Sequence, residues 1–253
     1  TDDKGEITAD LPQGMYKAVE VQADEKYDLT NATYYFGIGT SREGKPGVKA
    51  TWAKGIGGSN GDYIQSVAEC SDGGYVAGGY FESSSIDLGN GINLTNKGDK
   101  DGMIIKYNSS GECEWAKGIG GSDDDRITSV AETSDGGIIA GGYFRSSSID
   151  LENGVVLSNN SSSSSSTDGM IIKYNAKGEC EWEKVIKGDD YDYIYSVAET
   201  SDGGLIAGVY STSKIIDLGI GVIHNTNYGS INGMIIKYSA EGEVEWAKGI
   251  GGS

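Results

Sequence analysis

The chain has 253 residues, 41 of them Gly and 2 of them Pro, and a formal net charge of −18. An acidic surface of that size repels phosphate backbones and anionic membranes, which argues against a nucleic-acid partner and leaves solubility or cation binding as work for the carboxylates. No run of about 18 apolar residues is present, so no membrane insertion by a helix is expected, and the glycine lacks the three-residue period of collagen.

Residues 1–45 stand apart from the rest. Apolar and aromatic runs at 6–11, 15–23 and 34–40 read as strands, and no helix of length is expected here or later. From residue 46 the chain repeats itself. The phrase around Trp52 returns at Trp115, Trp182 and Trp246, giving units of about 53–115, 116–182 and 183–246. Such self-similarity marks a repeat architecture.

Each unit reads as four strands. The first is expected at 63–69, 126–132 and 193–199, and the second at 74–81, 137–144 and 204–210. Between them stands Ser-Asp-Gly-Gly, whose Asp-Gly step suits a tight hairpin turn, so Asp72, Asp135 and Asp202 are turn residues. An excursion follows, with an Ile-Asp-Leu core that can form a small extra hairpin. In the second unit it swells into the serine run 161–166, expected as a mobile surface loop. The third strand, at 103–107, 170–174 and 234–238, carries the continuous apolar run Met-Ile-Ile and should be covered on both faces. A glycine turn leads to the fourth strand, which carries the Trp.

A four-stranded unit of this size matches a propeller blade. The fold class expected is all-β: a partial β-propeller of three consecutive four-stranded blades plus a short N-terminal β segment. Rings have typically 4–8 blades. Either blades are missing beyond Ser253 or several chains assemble; the chain reads as a fragment of a longer protein.

The chemistry-bearing residues are few. Cys70, Cys113 and Cys180 are odd in number and form no disulfide framework; the last two stand where the third unit has Val244, a small buried apolar site. His224 is the lone histidine, so no histidine-dependent triad or zinc centre can be built. The recurrent Gly-Ile-Gly-Gly has no helix after it, which removes a dinucleotide site. Acids recur at fixed positions: Asp62, Asp125 and Asp192; Glu69, Glu132 and Glu199; Asp87, Asp150 and Asp217. Residues repeated in every unit serve the unit, as a turn, a cap or a hydrogen bond to the next unit. Asp123, Asp124 and Asp125, and in the matching loop Asp189, Asp190 and Asp192, are the candidate metal ligands, with Ca²⁺ as the ion that oxygen-rich loops suit. No other cofactor is implied. The recurring Trp is read as packing between units rather than as a sugar platform, and the Tyr and Ser of the excursions as the ligand contacts.

The phrases Ser-Asp-Gly-Gly-Tyr-Val-Ala-Gly-Gly (71–79), Asp-Gly-Met-Ile-Ile-Lys-Tyr-Asn-Ser-Ser-Gly-Glu (101–112) and Trp-Ala-Lys-Gly-Ile-Gly-Gly resemble the bacterial SBBP-type β-propeller repeat over residues 48–253. That resemblance implies a propeller and an exported protein, and no reaction. The Gly-Glu-x-Glu-Trp phrase is similar to the docking repeats of quinoprotein propellers, where the Trp locks adjacent blades. Residues 7–39, with Leu-Pro-x-Gly-x-Tyr, look like the end of a Cna-B/SpaA prealbumin-like adhesin domain. Glu20 falls where such domains place the Glu that promotes a Lys–Asn isopeptide bond, but the strand carrying the Lys is absent and no Asn ends the closing strand.

The domains expected are therefore a Cna-B-like remnant at 1–45 and blades at 46–253. The function expected is a non-enzymatic, extracellular binding or adhesion module of a Gram-positive-type bacterium, secreted or attached to the cell wall. Its partner would be a protein or glycan. The alternatives are a quinoprotein-like or glycan-cleaving propeller enzyme and a structural spacer between surface domains.

Overall fold

The computed structural model describes residues 14–19, 33–38, 53–151, 154–159, 166–218, 223–225 and 232–250. The chain divides into two compact units, Thr1–Gly57 and Gly58–Ser253, a break that falls later in the chain than the expected boundary at 45/46. In the first unit β1 (Gly14–Val19) and β2 (Thr33–Ile38) form an antiparallel pair. The strand expected at 6–11, and Glu20, lie outside the described residues.

The second unit is the repeat, three times over. The first pass gives β3 (Asp62–Glu69), β4 (Tyr75–Phe81), β5 (Ser85–Asp87), β6 (Asn93–Thr95), β7 (Asp101–Tyr107) and β8 (Cys113–Ile119). The second gives β9 (Asp125–Glu132), β10 (Ile138–Phe144), β11 (Ser148–Asp150), β12 (Val156–Ser158), β13 (Asp168–Tyr174) and β14 (Cys180–Gly188). The third gives β15 (Asp192–Glu199), β16 (Leu205–Ser211), β17 (Ile215–Asp217), β18 (Ile223–Asn225), β19 (Asn232–Tyr238) and β20 (Val244–Ile250). The protein is all-β, with no helix among the described residues.

Every pass forms the same antiparallel meander, β3-β4-β7-β8, β9-β10-β13-β14 and β15-β16-β19-β20. None of these sheets closes on itself. The third strand starts at Asp101 rather than at Met103, because Asp101 still pairs with Phe81 across the sheet. The Ile-Asp-Leu excursions form the small hairpins β5–β6, β11–β12 and β17–β18. The last of these extends the neighbouring sheet: Asp217 and Ile216 pair with Lys187 and Gly188 of β14, giving a six-stranded order β18-β17-β14-β13-β10-β9. Serines 161–165 lie outside the described residues, whereas Ser166 is buried, because it leads straight into β13.

Local chemistry explains the hairpins. Gly73, Gly136 and Gly203 have φ near +80°, a region L side chains avoid. The preceding acids accept from the next-but-one amide: Asp72 from Gly74 N–H (2.7 Å), Asp135 from Gly137 (2.9 Å) and Asp202 from Gly204 (3.1 Å). The same acids hold a cation. Lys106, Lys173 and Lys237 are buried, each between a turn aspartate and a strand-four glutamate, as with Lys173 at 2.9 Å from Asp135 and 3.0 Å from Glu181. A buried ammonium needs such partners.

The core lies between the sheets. Every residue of β7 and β13 is buried, as the apolar run requires of a strand covered on both faces. In β10, Ile138 and Ala140 face the first meander and Ile139 faces the third. Each fully buried Ile contributes about 1.5–3 kcal/mol. Glycine sets the close approach. A Cβ on Gly78 would lie 2.6 Å from Val130 and 2.8 Å from Ile127, and one on Gly141 2.7 Å from both Ile194 and Val197. Strand-one side chains of one sheet therefore plug strand-two glycines of the sheet before it.

The tryptophans bind the sheets together at the other edge. Trp115 Nε1 donates to Ala176 O and Trp182 Nε1 to Ala240 O, both at 3.2 Å. Their rings lie on Gly178 and Gly242, where a Cβ would come within 2.8 and 2.9 Å of the indoles. The packing role read from the sequence is the one the geometry shows, and it joins each unit to the next.

Candidate functional site

Three cross-strand pairs occupy one register position in the three meanders: Tyr63 opposite Tyr80, Arg126 opposite Tyr143, and Tyr193 opposite Tyr210. Because the sheets stack, these pairs join into a belt. Tyr63 stacks on Tyr80 at 4.8 Å, and the Arg126 guanidinium lies 4.2 Å from the Tyr80 ring centre and 5.9 Å from that of Tyr143. Tyr143 meets Tyr193 edge-on at 4.5 Å. Tyr193 then contacts Tyr191, Tyr195 and Tyr210 at 6.1, 5.9 and 5.7 Å. Each such aromatic or cation–π contact adds about 0.5–1.5 kcal/mol, so the belt is held rigid by its own members.

A strand bulge flanks the belt in every unit. The register slips between Ile64 and Ser66, between Gly141 and Gly142, and between Ile194 and Ser196. A bulge re-aims the extra side chain. In the third unit that residue is Tyr195, 57 % exposed; at the far end of the belt Tyr63 is 45 % exposed. Asp124 fixes the central cation, accepting from Arg126 Nε and Nη2 at 2.7 Å, and so holds the guanidinium firmly protonated. Burial pushes the Tyr143 phenol up to about 12 and raises Tyr80 and Tyr193 as well. These rings therefore stay neutral donors at physiological pH.

The acids proposed as calcium ligands are placed as follows. Asp123 pairs with Arg145 at 3.6 Å, and Asp124 holds Arg126. Asp125 accepts from the amides of Gly121, Arg145 and Ser146 and from Ser146 Oγ at 2.6 Å. Asp189 accepts from Lys214 N–H at 2.7 Å, the Asp190 amide donates to Ser213 Oγ, and Asp192 accepts from Ser213 Oγ at 2.8 Å. Among the described residues no three His, Cys, Asp or Glu side chains are grouped to hold a metal ion.

The recurrent acids serve their units. Asp62 accepts from Ser83 Oγ at 2.6 Å, and the same aspartate–serine clamp recurs at Asp125–Ser146 and Asp192–Ser213. Glu132 accepts from Ser71 N–H and Oγ, and Glu199 from Ser134 N–H and Oγ, so both tie one sheet to the sheet before it. Asp87 accepts from Gly89 N–H in its hairpin. Cys70 and Cys113 are buried free thiols, and burial pushes Cys70 and Cys180 up to about 11, so they pack rather than react. His224 lies on β18 opposite Ile216.

An open groove of about 460 Å³ lies between the turns of the second and third units, lined among others by Asp135, Lys173, Glu181 and Trp182. Those side chains already pair with one another or dock on the next turn. The belt is different: apart from the buried Tyr80 its rings are partly open to solvent, and it crosses all three sheets. Its residues sit on strands one and two, not in the excursions where ligand contacts were expected. The signal was in the sequence, as Tyr or Arg directly after the recurrent strand-one aspartate and Tyr in the strand-two phrase.

No family model matches the chain. Over 199 residues it is 31% identical to the regulatory protein FlaEY of Caulobacter vibrioides. That match covers 78% of this chain and 20% of the relative, so the chain spans about a fifth of that protein's length.

Proposed function

We propose that the chain is a non-enzymatic binding module on a β-propeller scaffold, acting at a bacterial surface, and that its tyrosine belt takes an uncharged glycan. The stacked meanders are read as consecutive blades. The observation that carries the ligand is the belt itself: neutral phenol rings in one row, rigidly held, with open rings at both ends. A pyranose presents a face of C–H groups that packs on such rings, while its hydroxyls meet phenol and backbone groups. Tyrosine gives large contact area at low entropic cost. The charge of −18 disfavours acidic polysaccharides.

Turnover is disfavoured by where the perturbed acids lie. Burial pushes Asp125 and Asp168 up to about 6 and Asp192 to about 7, a range suited to proton transfer. All three are sealed from solvent, so no substrate reaches them. A regulatory role, which the name of the Caulobacter relative carries, is also exercised through binding. Among the described residues no helix is long and apolar enough to cross a membrane.

A glycan array comparing neutral with anionic oligosaccharides tests the reading. Binding should be confined to neutral ones. Tyr63→Ala and Tyr195→Ala, both at exposed rings, should each weaken it about tenfold, the equivalent of 1.4 kcal/mol, while lowering stability by no more than the ring contact each loses, about 0.5–1.5 kcal/mol. Absence of any glycan binding, or cleavage of a bound one, would refute it.

A further inference from the structure

The strand-one aspartate is held one way in the first two units and another way in the third. Asp62 accepts from the amides of Gly58, Glu82 and Ser83 and from Ser83 Oγ. Asp125 accepts from the matching amides of Gly121, Arg145 and Ser146 and from Ser146 Oγ. Asp192 keeps Ser213 Oγ but not the amides. The third unit carries Ser211 where the others carry Phe81 and Phe144, and its hydroxyl takes the Ser213 N–H at 3.0 Å. The Thr212 amide donates to Tyr191 O, and the Gly188 amide is turned toward Asp168. Asp192 Oδ1 is left buried without a donor. Asp168 is displaced in its turn. Its counterpart Asp101 lies against Gly120, where a Cβ would come within 2.3 Å of the carboxyl, and accepts from Lys97 N–H at 2.8 Å. The second unit has Lys187 at the place of Gly120, so Asp168 cannot sit as Asp101 does. Both Asp168 oxygens are buried with no donor in hydrogen-bond geometry, against one such oxygen at Asp101.

These oxygens meet at one junction. The Asp192 amide donates to Thr167 O at 2.9 Å, one residue before Asp168, and Ser211 is the cross-strand partner of Asp192. Gly188 adjoins both acids: its amide is turned toward Asp168, and a Cβ on it would lie 2.1 Å from Asp192 Oδ2. Asp168 and Asp192 are 1 % and 0 % exposed. Lys187 acts on Asp168 from a distance and makes no hydrogen bond to it. A buried carboxylate costs free energy unless a cation or donors balance it. We propose that this junction binds one divalent cation of the calcium class, held by Asp168 Oδ1 and Oδ2 and Asp192 Oδ1, with Ser211 Oγ as a neutral oxygen beside them. Two carboxylates balance the ion's charge. Calcium accepts irregular sets of about 6–8 oxygens, whereas magnesium keeps several waters in a strict octahedron that a sealed junction does not favour. Ser211 and Lys187, which create the open oxygens, each occur in one unit only, which sets this site apart from the acids that serve every unit. Asp168 opens β13 and Asp192 opens β15, so the ion ties the second sheet to the third.

Calcium binding to the full chain tests this. The chain is stripped with EDTA, then either titrated folded or refolded from urea in calcium, because a sealed site can load on folding. Calorimetry and metal analysis after dialysis should find one tightly held calcium per chain, with magnesium at least tenfold weaker. Asp168→Asn and Asp192→Asn should each weaken calcium binding at least tenfold, and Asp101→Asn should leave it unchanged. Melting temperature gives a second readout that a merely structural aspartate would not move. In EDTA, Asp168→Asn should melt above the wild type; in calcium the order should reverse, because only the wild type gains from the ion. A wild type that is neither loaded nor stabilised by millimolar calcium, folded or refolded, would overturn the proposal and leave the two carboxyls sharing a proton. Calcium bound equally well by Asp168→Asn would overturn it too, by placing the ion elsewhere on the acidic surface.

Discussion

Trp182→Ala should lower unfolding free energy by about 2–4 kcal/mol, while Trp246→Ala should change it by less than about 0.5 kcal/mol. The two residues occupy the same place in the same repeated phrase. Trp182 covers Gly242 and donates to Ala240 O, so its loss opens a cavity between the second and third sheets and leaves a carbonyl without its indole partner. The lower end of the range applies because the indole is only partly buried. Trp246 lies exposed on β20 and covers no turn among the described residues. Urea titrations of the two variants at low concentration check the contrast. Equal losses would show that the Trp acts within its own sheet and not between sheets.

The second large effect is on pH. Burial raises Asp125 and Asp168 to about 6 and Asp192 to about 7, with the like charges of Asp168 and Asp189 adding to the rise at Asp192. A carboxyl that binds its proton more tightly in the folded chain favours folding most below its unfolded value, near 3.9, and that stabilisation is lost as pH rises through 6 to 7. Stability should therefore increase as pH falls from 8 to 5. Other acids bound the window from below. Burial works against Asp135, but Thr133 and Lys173 bring it down to about 2, and Lys106 holds Asp72 low. Their contribution is present above pH 4 and disappears as they protonate. Melting temperature should peak near pH 5 and decline on either side. Asp168→Asn removes one ionisable group at the position where the third repeat has Asn232. It should raise stability at pH 8 by about 1–3 kcal/mol, at 1.36 kcal/mol per pKa unit, and flatten the slope between pH 5 and 8. Thermal scans at intervals of pH would expose the opposite sign at once.

Much of the site was present in the sequence but not visible as a site. Tyr63, Arg126 and Tyr193 each follow the recurrent strand-one aspartate, and Tyr80, Tyr143 and Tyr210 stand next to last in the strand-two phrase. A pairing register is needed before those two sets become neighbours. The clustered acids Asp123, Asp124 and Asp125, and Asp189, Asp190 and Asp192, stand out as candidate calcium ligands by their adjacency in the linear chain. In three dimensions their partners come from elsewhere: Arg126, Arg145, Ser146, Lys214 and Ser213.

The residues by themselves determined the repeat, the four strands of each unit, the Asp-Gly turns and the two-sided burial of Met-Ile-Ile. These follow from signals that act over a few residues: alternation, the positive φ that Gly supplies, and the length of an apolar run. Only the tertiary structure decided which residues meet across successive sheets. Gly141 is filled and Gly208 is empty, Ile186 is sealed and Ile250 is open, although their phrases correspond. The difference lies in the neighbour on the far side of the sheet, and no local pattern specifies a neighbour more than 60 residues away, as Glu199 is from Ser134.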